Sequence, residues 1–123
     1  MSTLRIDIAG GQRGHKPGEK IDGRVAWQVE EAPQSAELRL FWYTSGKGTQ
    51  DVENVGVVAF QTPQMNDDRL FSFALPRQPF SFSGKLISLV WALELIVEPG
   101  SNVERHEFVM SASGEEVVLR EGA

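Results

Sequence analysis

The amino-acid sequence predicts an all-β domain built as a two-layer antiparallel β-sandwich. Segment 87–98 alternates apolar and polar side chains, which is the period-two pattern of a strand with one buried side. Its apolar positions are Ile87, Leu89, Trp91, Leu93, Leu95 and Val97. Short runs rich in glycine, proline and asparagine separate similar segments, and such runs favour turns. No segment keeps an apolar period of about 3.6 residues, so we expect little or no helix.

The same alternation predicts about eight strands. In chain order they cover 4–8, 21–30, 38–43, 51–60, 71–75, 87–98, 103–110 and 116–120. Pro17-Gly18 matches a type II turn leading into the second strand. Gly23 lies inside that strand, which indicates a bulge or a close backbone approach. Both faces of 51–60 are partly apolar, so the register of that strand stays open.

The composition fits a single domain over residues 1–123. The chain contains no cysteine, which excludes disulfides and thiolate zinc sites. Its start, MSTLRIDIAGG, lacks the basic and apolar regions of a secretory signal, and no apolar run is long enough to cross a bilayer. We therefore expect a cytoplasmic protein that does not insert into a membrane.

The charge balance argues against nucleic-acid binding. Acidic side chains outnumber basic ones by 17 to 12, which gives a formal net charge of -5. Such a charge repels nucleic-acid phosphates unless a local basic patch opposes it. The basic residues are scattered along the chain, so we expect no nucleic-acid partner.

The sequence offers little material for catalysis. It has only two histidines, His15 and His106, whereas hydrolytic triads and histidine metal sites need further partners. His106 alternates with Phe108, so an inward-facing, pH-sensitive role is open, although an ordinary strand histidine is favoured. Ser83-Gly84 lacks the glycine pattern of a nucleophile elbow. We expect no catalytic residue and rank a hydrolase last.

Two acidic pairs and one glycine-rich run are candidates for ion binding. Asp51 with Glu53, and Asp67 with Asp68, offer carboxylate oxygens, but neither pair has the spacing of a known calcium loop. We interpret them as solvated carboxylates. The run GKGT at 46–49 lacks the first glycine of a phosphate-binding loop, and no helix is predicted after it. The sequence therefore predicts no metal and no cofactor.

Phe41 and Tyr43 are the strongest candidates for a binding surface. If Trp42 packs inward with Leu38 and Leu40, these two aromatic side chains lie on the opposite face of the strand. Two exposed aromatics on one strand would form a contact patch. Alternatively, a neighbouring segment of the chain covers them. The sequence leaves both interpretations open.

Three segments in order carry a similarity to a known family. They are HKPGEKIDGRV at 15–25, LRLFWYT at 38–44, and FSFALPRQPFSFSG at 71–84 with the strand bearing Trp91 after it. Together they resemble the arrestin-like family, immunoglobulin-like β-sandwiches that include the arrestins, the small retromer subunit and bacterial sporulation-control proteins. His15 stands where that family commonly has an aromatic residue, and the chain has length for one sandwich where arrestins have two. The resemblance implies a non-catalytic protein that binds other proteins.

Two functions from different classes follow. The first is a single arrestin-like domain that acts as an interaction module or scaffold. It would bind a protein partner, or another copy of itself, through an exposed strand edge or through the face that carries Phe41 and Tyr43. The alternative is a sandwich that binds a carbohydrate or small ligand, with the same two aromatic rings stacked on a sugar.

Overall fold

The computed structural model describes residues 2–11, 14–46, 51–79, 81–83, 87–100, 102–110 and 117–118 of the 123-residue chain. The described part is all-β apart from one short 3-10 turn, Ala9–Gly11. Its strands are β1 Thr3–Ile8, β2 Gly14–His15, β3 Lys20–Gln28, β4 Ser35–Gly46, β5 Val52–Ala59, β6 Asn66–Ala74, β7 Phe82–Ser83, β8 Ile87–Glu98, β9 Asn102–Met110 and β10 Val117–Val118. The all-β prediction is confirmed.

The strands form two layers. The smaller layer has the order β1-β3-β6 and is antiparallel throughout. In the larger layer β8 pairs with β4 along its whole length on one side, while β7 and β9 share its other side and β5 pairs with β4. The short strand β2 pairs with β9 in parallel, and β10 pairs with β7 in parallel. The predicted antiparallel arrangement therefore holds except in these two pairings, each of two residues.

The core lies between the two layers, where each sheet turns its alternate side chains inward. From β3 these include Ile21, Val25 and Trp27, and from β8 they include Trp91 and Leu93. The apolar face predicted for 87–98 is the buried face, because every residue of it whose burial is described is at most 7% exposed. Burial of this face is the main source of stability for the sandwich.

Trp91 joins the core to the crossover that precedes β8. Its indole Nε1 donates a hydrogen bond to the carbonyl oxygen of Pro79 at 2.8 Å. A buried indole N–H needs such a partner, so the bond both satisfies Trp91 and fixes the crossover. Phe80, Gly84 and the side chain of Phe82, which belong to the same crossover, lie outside the described part of the structure.

Two glycines behave as the sequence predicts. Gly18 has a φ of 77°, and the amide of Glu19 donates to the carbonyl of Lys16 at 3.1 Å, which closes the type II turn at Pro17-Gly18. Gly23 lies where β1 approaches β3 most closely. A Cβ atom there would lie 2.2 Å from the backbone oxygen of Asp7, so the close-approach interpretation is confirmed.

Several predictions fall partly outside the described residues. Of the run 46–49 only Gly46 is described, as the last residue of β4. Gly84 is not described, and the strand predicted at 116–120 is described only at Val117–Val118. Among the residues that are described, no helix has the length and apolar character needed to traverse a membrane.

Candidate functional site

The outer face of the large sheet carries both predicted binding residues. On β4 the even-numbered Leu38 and Leu40 are buried in the core, and Trp42 packs half-buried beside it. Phe41 and Tyr43 therefore point away from the core, as expected from the two-residue period of a strand.

Phe41 is not exposed, although it lies on the outer face. Only 5% of its surface reaches solvent. The ring of Tyr43 stacks beside it with a centroid separation of 6.1 Å, and the guanidinium carbon of Arg105 lies 5.2 Å above Phe41 and 5.4 Å above Tyr43. A cation in this position is attracted to the ring faces. The alternative in which a neighbouring segment covers the aromatics is the correct one for Phe41, while Tyr43 is half-buried.

A network of charges holds Arg105 in place. Its Nε and Nη2 atoms both donate to Oε2 of Glu94, at 3.2 and 2.9 Å. The hydroxyl of Tyr43 shares a hydrogen bond with Glu107 on the same strand as Arg105. We call Phe41, Tyr43, Glu94, Arg105 and Glu107 the aromatic–arginine cluster. The guanidinium therefore already has a carboxylate partner, and the second carboxylate accepts a hydrogen bond from Tyr43, so these polar groups bond to one another across three neighbouring strands.

The electrostatics of the cluster shift two pKa values. Burial raises the pKa of the Tyr43 phenol, and the hydrogen bond and negative charge of Glu107 raise it further, against an opposing effect of Arg105. The hydrogen bond that Arg105 donates to Glu94 raises the pKa of Arg105 above its usual value. Both groups therefore keep their protons at neutral pH, and neither is poised for proton transfer.

A shallow depression of about 230 Å³ lies beside the cluster. Arg39, Val52 and Asn54 complete its lining, together with Phe41, Tyr43, Glu94 and Arg105. Arg39 is itself engaged, since its Nη2 lies 2.6 Å from Oε1 of Glu37. The depression thus offers the amide of Asn54 and the guanidinium groups of Arg39 and Arg105. Each of the two guanidinium groups is already bound to a carboxylate.

Titration of the phenol tests this network directly, because Tyr43 is the only tyrosine in the chain. We expect tyrosinate absorbance to appear in the folded protein with a midpoint above the ordinary value of 10.0. The stability that Tyr43 contributes is then fully present below that value and is lost as the pH rises through the folded-state pKa. Glu107→Gln should lower the midpoint, because it removes the charge that disfavours the phenolate.

Two further variants complete the titration. Arg105→Gln should raise the midpoint, because it removes the cation that favours the phenolate. Glu104→Gln removes a neighbouring carboxylate that makes no contact with the phenol, so it is the matched control and should leave the midpoint unchanged. Equal midpoints in the Glu107→Gln variant and the original protein would contradict the assigned hydrogen bond.

The two histidines lie outside the cluster. His15 is buried, with its ring edge-on to Phe108 at a centroid separation of 5.3 Å and its Nδ1 atom 3.9 Å from Oε2 of Glu19. His106 is half-buried opposite Leu93, on the inner face of β9, which is the direction that the alternation with Phe108 left open.

The acidic pairs differ in their surroundings. Asp67 accepts hydrogen bonds from Arg69, with Nη2 at 2.9 Å, and this contact lowers the pKa of the carboxyl. Asp68 lies 3.8 Å from Arg24, whereas Asp51 precedes β5 and makes no ion pair within the described chain. Across residues that the structure describes, no three potential ligands come together to hold a metal ion.

Sequence reasoning missed the apolar edge of the sandwich. Six large apolar side chains are exposed in the described part, and five of them lie between residues 52 and 70: Val52, Val55, Val57, Met65 and Leu70. The sixth is Val103 on β9. We call segment 52–70, which comprises β5, β6 as far as Leu70 and the loop between them, the apolar edge. The available signal was the apolar character of both faces of 51–60.

Both strands of the apolar edge lie at the margin of their sheets. Within the described residues β5 pairs only with β4, and β6 pairs only with β3. A Cβ atom on Gly56 of β5 would lie 3.2 Å from the ring of Phe73 on β6, so the two open edges sit on the same side of the sandwich. An open edge presents unpaired backbone N–H and C=O groups that another chain can use.

A bulge explains why the register of β5 could not be predicted. Leu40 pairs with Gly56, but the next residue, Phe41, pairs with Asn54, which leaves Val55 as the extra residue of β5. A bulge of this kind bends the strand and exchanges the faces on which odd and even residues lie. Val52 and Val57 therefore both point to the outer face, despite their odd spacing.

Comparisons with known proteins support the fold. No protein-family model matches the chain, and no curated protein matches it. The sporulation control protein Spo0M from Bacillus subtilis superposes with a TM-score of 0.65 at 15% sequence identity, over 90% of this chain and 49% of that chain. This chain therefore spans about half the length of Spo0M.

Two enzymes show a weaker likeness. A superoxide reductase (neelaredoxin) from Ignicoccus hospitalis superposes with a TM-score of 0.50 at 18% identity, over 89% of this chain and 80% of its own. A β-glucosidase from Listeria innocua gives 0.50 at 12% identity, over 95% of this chain and 16% of its own. At such identities the likeness shows the fold alone. The likeness to Spo0M agrees, at the level of fold, with the resemblance of the sequence to sporulation-control proteins.

Proposed function

We propose that this protein is a non-catalytic interaction module of arrestin-like fold that binds a protein partner along the apolar edge. The observation that carries the proposal is the concentration of exposed apolar side chains on one side of the sandwich. Scattered surface valines are ordinary, but a group of them along open strand edges is typical of an interaction surface. The structural likeness to Spo0M supports the fold part of the proposal.

Strand addition is the mode of binding that suits β5. An extended partner segment can pair with the free backbone groups of the strand, while its alternate side chains contact those of β5 on each face. Val52 and Val57 offer apolar contacts on the outer face of the sheet, and both are more than half exposed. The backbone pairing supplies affinity, and the side-chain contacts supply selectivity.

The second candidate function is a small-ligand or carbohydrate site in the depression beside Tyr43. The observation in its favour is the lining by Asn54 and Arg39, whose amide and guanidinium groups suit sugar hydroxyls. Against it, Arg105 lies over the rings of both Phe41 and Tyr43, so a sugar would have to displace the guanidinium before it could stack there. A glycan array compares the original protein with a Tyr43→Ala variant, and ligand binding lost in that variant would favour this candidate.

Val57 and Val103 form a matched pair for testing the edge. Both are valines on strands of the large sheet, with exposed fractions of 53% and 52%. We expect a photo-reactive amino acid at position 57 to cross-link a defined partner protein in the host cell, whereas the same probe at position 103 does not. A cross-link at the mass of two chains would instead identify a second copy as the partner.

The lysine substitutions complete this test. Val57→Lys should abolish partner binding, because it places a hydrated ammonium group on the apolar contact surface, while Val103→Lys should preserve binding. Both exposed substitutions should change the free energy of unfolding by no more than about 0.5 kcal/mol, as measured by denaturant titration. Equal cross-linking at the two positions, or none at either, would reject the edge as the binding surface.

A further inference from the structure

The charge of the apolar edge indicates the chemistry of its partner. The apolar edge together with Asp51, the residue directly before it, contains four acidic side chains, Asp51, Glu53, Asp67 and Asp68, and a single basic one, Arg69. This segment therefore contributes -3 to the chain's net charge of -5. The side of the sandwich that carries five of the six exposed large apolar side chains is therefore also acidic, and complementary charge is a principal source of selectivity between protein partners.

Two of these carboxylates have charge to offer a partner. Asp67 is bound to Arg69, and Asp68 lies beside Arg24. Asp51 and Glu53 are both exposed, and neither makes an ion pair with any described residue. Both lie at the start of β5, so the carboxylates that make no ion pair among the described residues are concentrated at one end of the open edge.

The faces of β5 separate the charge from the apolar contacts. Val52 lies on the outer face of the sheet, so Glu53, one residue further, lies on the other face beside Trp42. The bulge at Val55 returns Val57 to the outer face. An extended segment laid along β5 thus meets valines on one face and a free carboxylate on the other. A segment whose side chains alternate between apolar and basic matches both faces at once.

A second copy of this chain matches the edge less well. It would bring the same two free carboxylates to the contact, and like charges oppose association. Its β5 strand would also carry the same bulge, and bulged edges resist direct edge-to-edge pairing because they twist away from each other. A flexible segment of a different protein can follow the bend.

We propose that the apolar edge binds an extended segment of a partner protein in which lysine or arginine residues alternate with apolar ones. The apolar side chains of this segment contact Val52 and Val57, and its cations approach Asp51 and Glu53. This inference rests on the proposed function and adds the chemical class of the partner to it.

Synthetic peptides test the charge of the partner separately from the edge. The probes are a short peptide of alternating lysine and valine and a peptide of equal length in which glutamate replaces lysine. Titrated into the isotopically labelled full chain, the lysine peptide should shift the backbone amide signals of β5. Its affinity should fall with added salt, and the glutamate peptide should bind at least about tenfold more weakly, since each close charge pair changes affinity several-fold.

A pair of double variants locates the charge contact. Asp51→Asn with Glu53→Gln should weaken binding of the lysine peptide about three- to tenfold, from the loss of two exposed ion pairs. Asp22→Asn with Glu31→Gln removes two exposed carboxylates outside the edge and should leave the affinity unchanged. Equal loss in the two double variants would overturn the proposed contact, because it would reflect net charge alone.

The remaining outcomes test strand addition at the apolar edge separately from the basic character of the partner segment. Equal binding of the two peptides at β5 would overturn the basic partner while strand addition stands. Binding that shifts no β5 amide would overturn both. Absence of binding by either peptide, with the position-57 cross-link retained, would reject the partner class alone. A concentration-dependent dimer that shifts the same amides without peptide would replace the partner segment by a second copy.

Discussion

Replacing Trp91 with alanine is expected to destabilise the protein by about 3 to 5 kcal/mol, the usual cost of truncating a large buried aromatic side chain. Trp91 has no exposed surface and lies at the middle of the central strand, with Trp42 and Phe108 as its register partners. The truncation leaves a cavity between the layers and also removes the donor that satisfies the carbonyl of Pro79. Since small domains are stable by roughly 5 to 15 kcal/mol, the variant should be marginally folded or unfolded.

Two other variants separate the cavity from the hydrogen bond. Trp91→Phe keeps much of the ring volume but loses the hydrogen bond to Pro79. We expect the lost hydrogen bond to cost about 1 kcal/mol of stability, and the packing cost to be smaller than that of Trp91→Ala. Trp42→Ala truncates a half-buried indole on the adjacent strand and should cost clearly less than Trp91→Ala. Urea unfolding followed by circular dichroism measures all three. Equal losses for the two alanine variants would show that Trp91 is not the centre of the core.

The sandwich could be predicted because two of its long strands place apolar residues at every second position of one face. In β3 the other face is largely polar, and in β8 it carries Ser88, Glu94 and Glu98 among apolar residues, so the two-residue period identifies both strands and their inner sides. The short strands β2 and β7 could not be found in this way, whereas β10 lies within the strand predicted at 116–120. Two residues carry no period, and such pieces exist only because a longer neighbour supplies their hydrogen bonds.

The surface was harder to predict, because alternation gives the face of a side chain but not what covers it. Phe41 was placed correctly on the outer face, yet Arg105, distant in sequence, buries it. Ala92 also lies on the predicted polar face, and it is fully buried between Phe41 and Glu107. These are contacts between strands, and the sequence of one strand does not contain them.

The exposure of the apolar edge could not be predicted for a different reason. Both faces of 51–60 are partly apolar, a pattern that fits a strand buried on two sides as well as one that is open at a sheet margin. Only the topology distinguishes these cases, because among the strands that the structure describes β5 has a single partner, β4. The bulge at Val55 then removes the strict period that would have assigned the faces.

Replacing Gly23 with alanine is expected to detach β1 from the smaller sheet. The added Cβ would lie 2.2 Å from the backbone oxygen of Asp7 and 2.9 Å from the ring of Phe71. A ring can move, but the oxygen belongs to the backbone of β1, so the strand itself has to shift. Overpacking of this kind costs about 1 to 3 kcal/mol, and we expect a value at the upper end because backbone is displaced.

The location of the damage follows from the topology. β1 pairs only with β3 in the described structure, so it can separate while β3 and β6 stay paired. Hydrogen exchange should therefore accelerate at the β1 amides far more than at those of β6. Gly56→Ala is the matched control: its Cβ would lie 3.2 Å from the ring of Phe73 and at an ordinary contact distance of 4.0 Å from Leu40, and a ring can yield by a few tenths of an ångström. We expect that variant to cost less than about 1 kcal/mol, and equal costs for the two glycines would refute the close approach of β1 to β3.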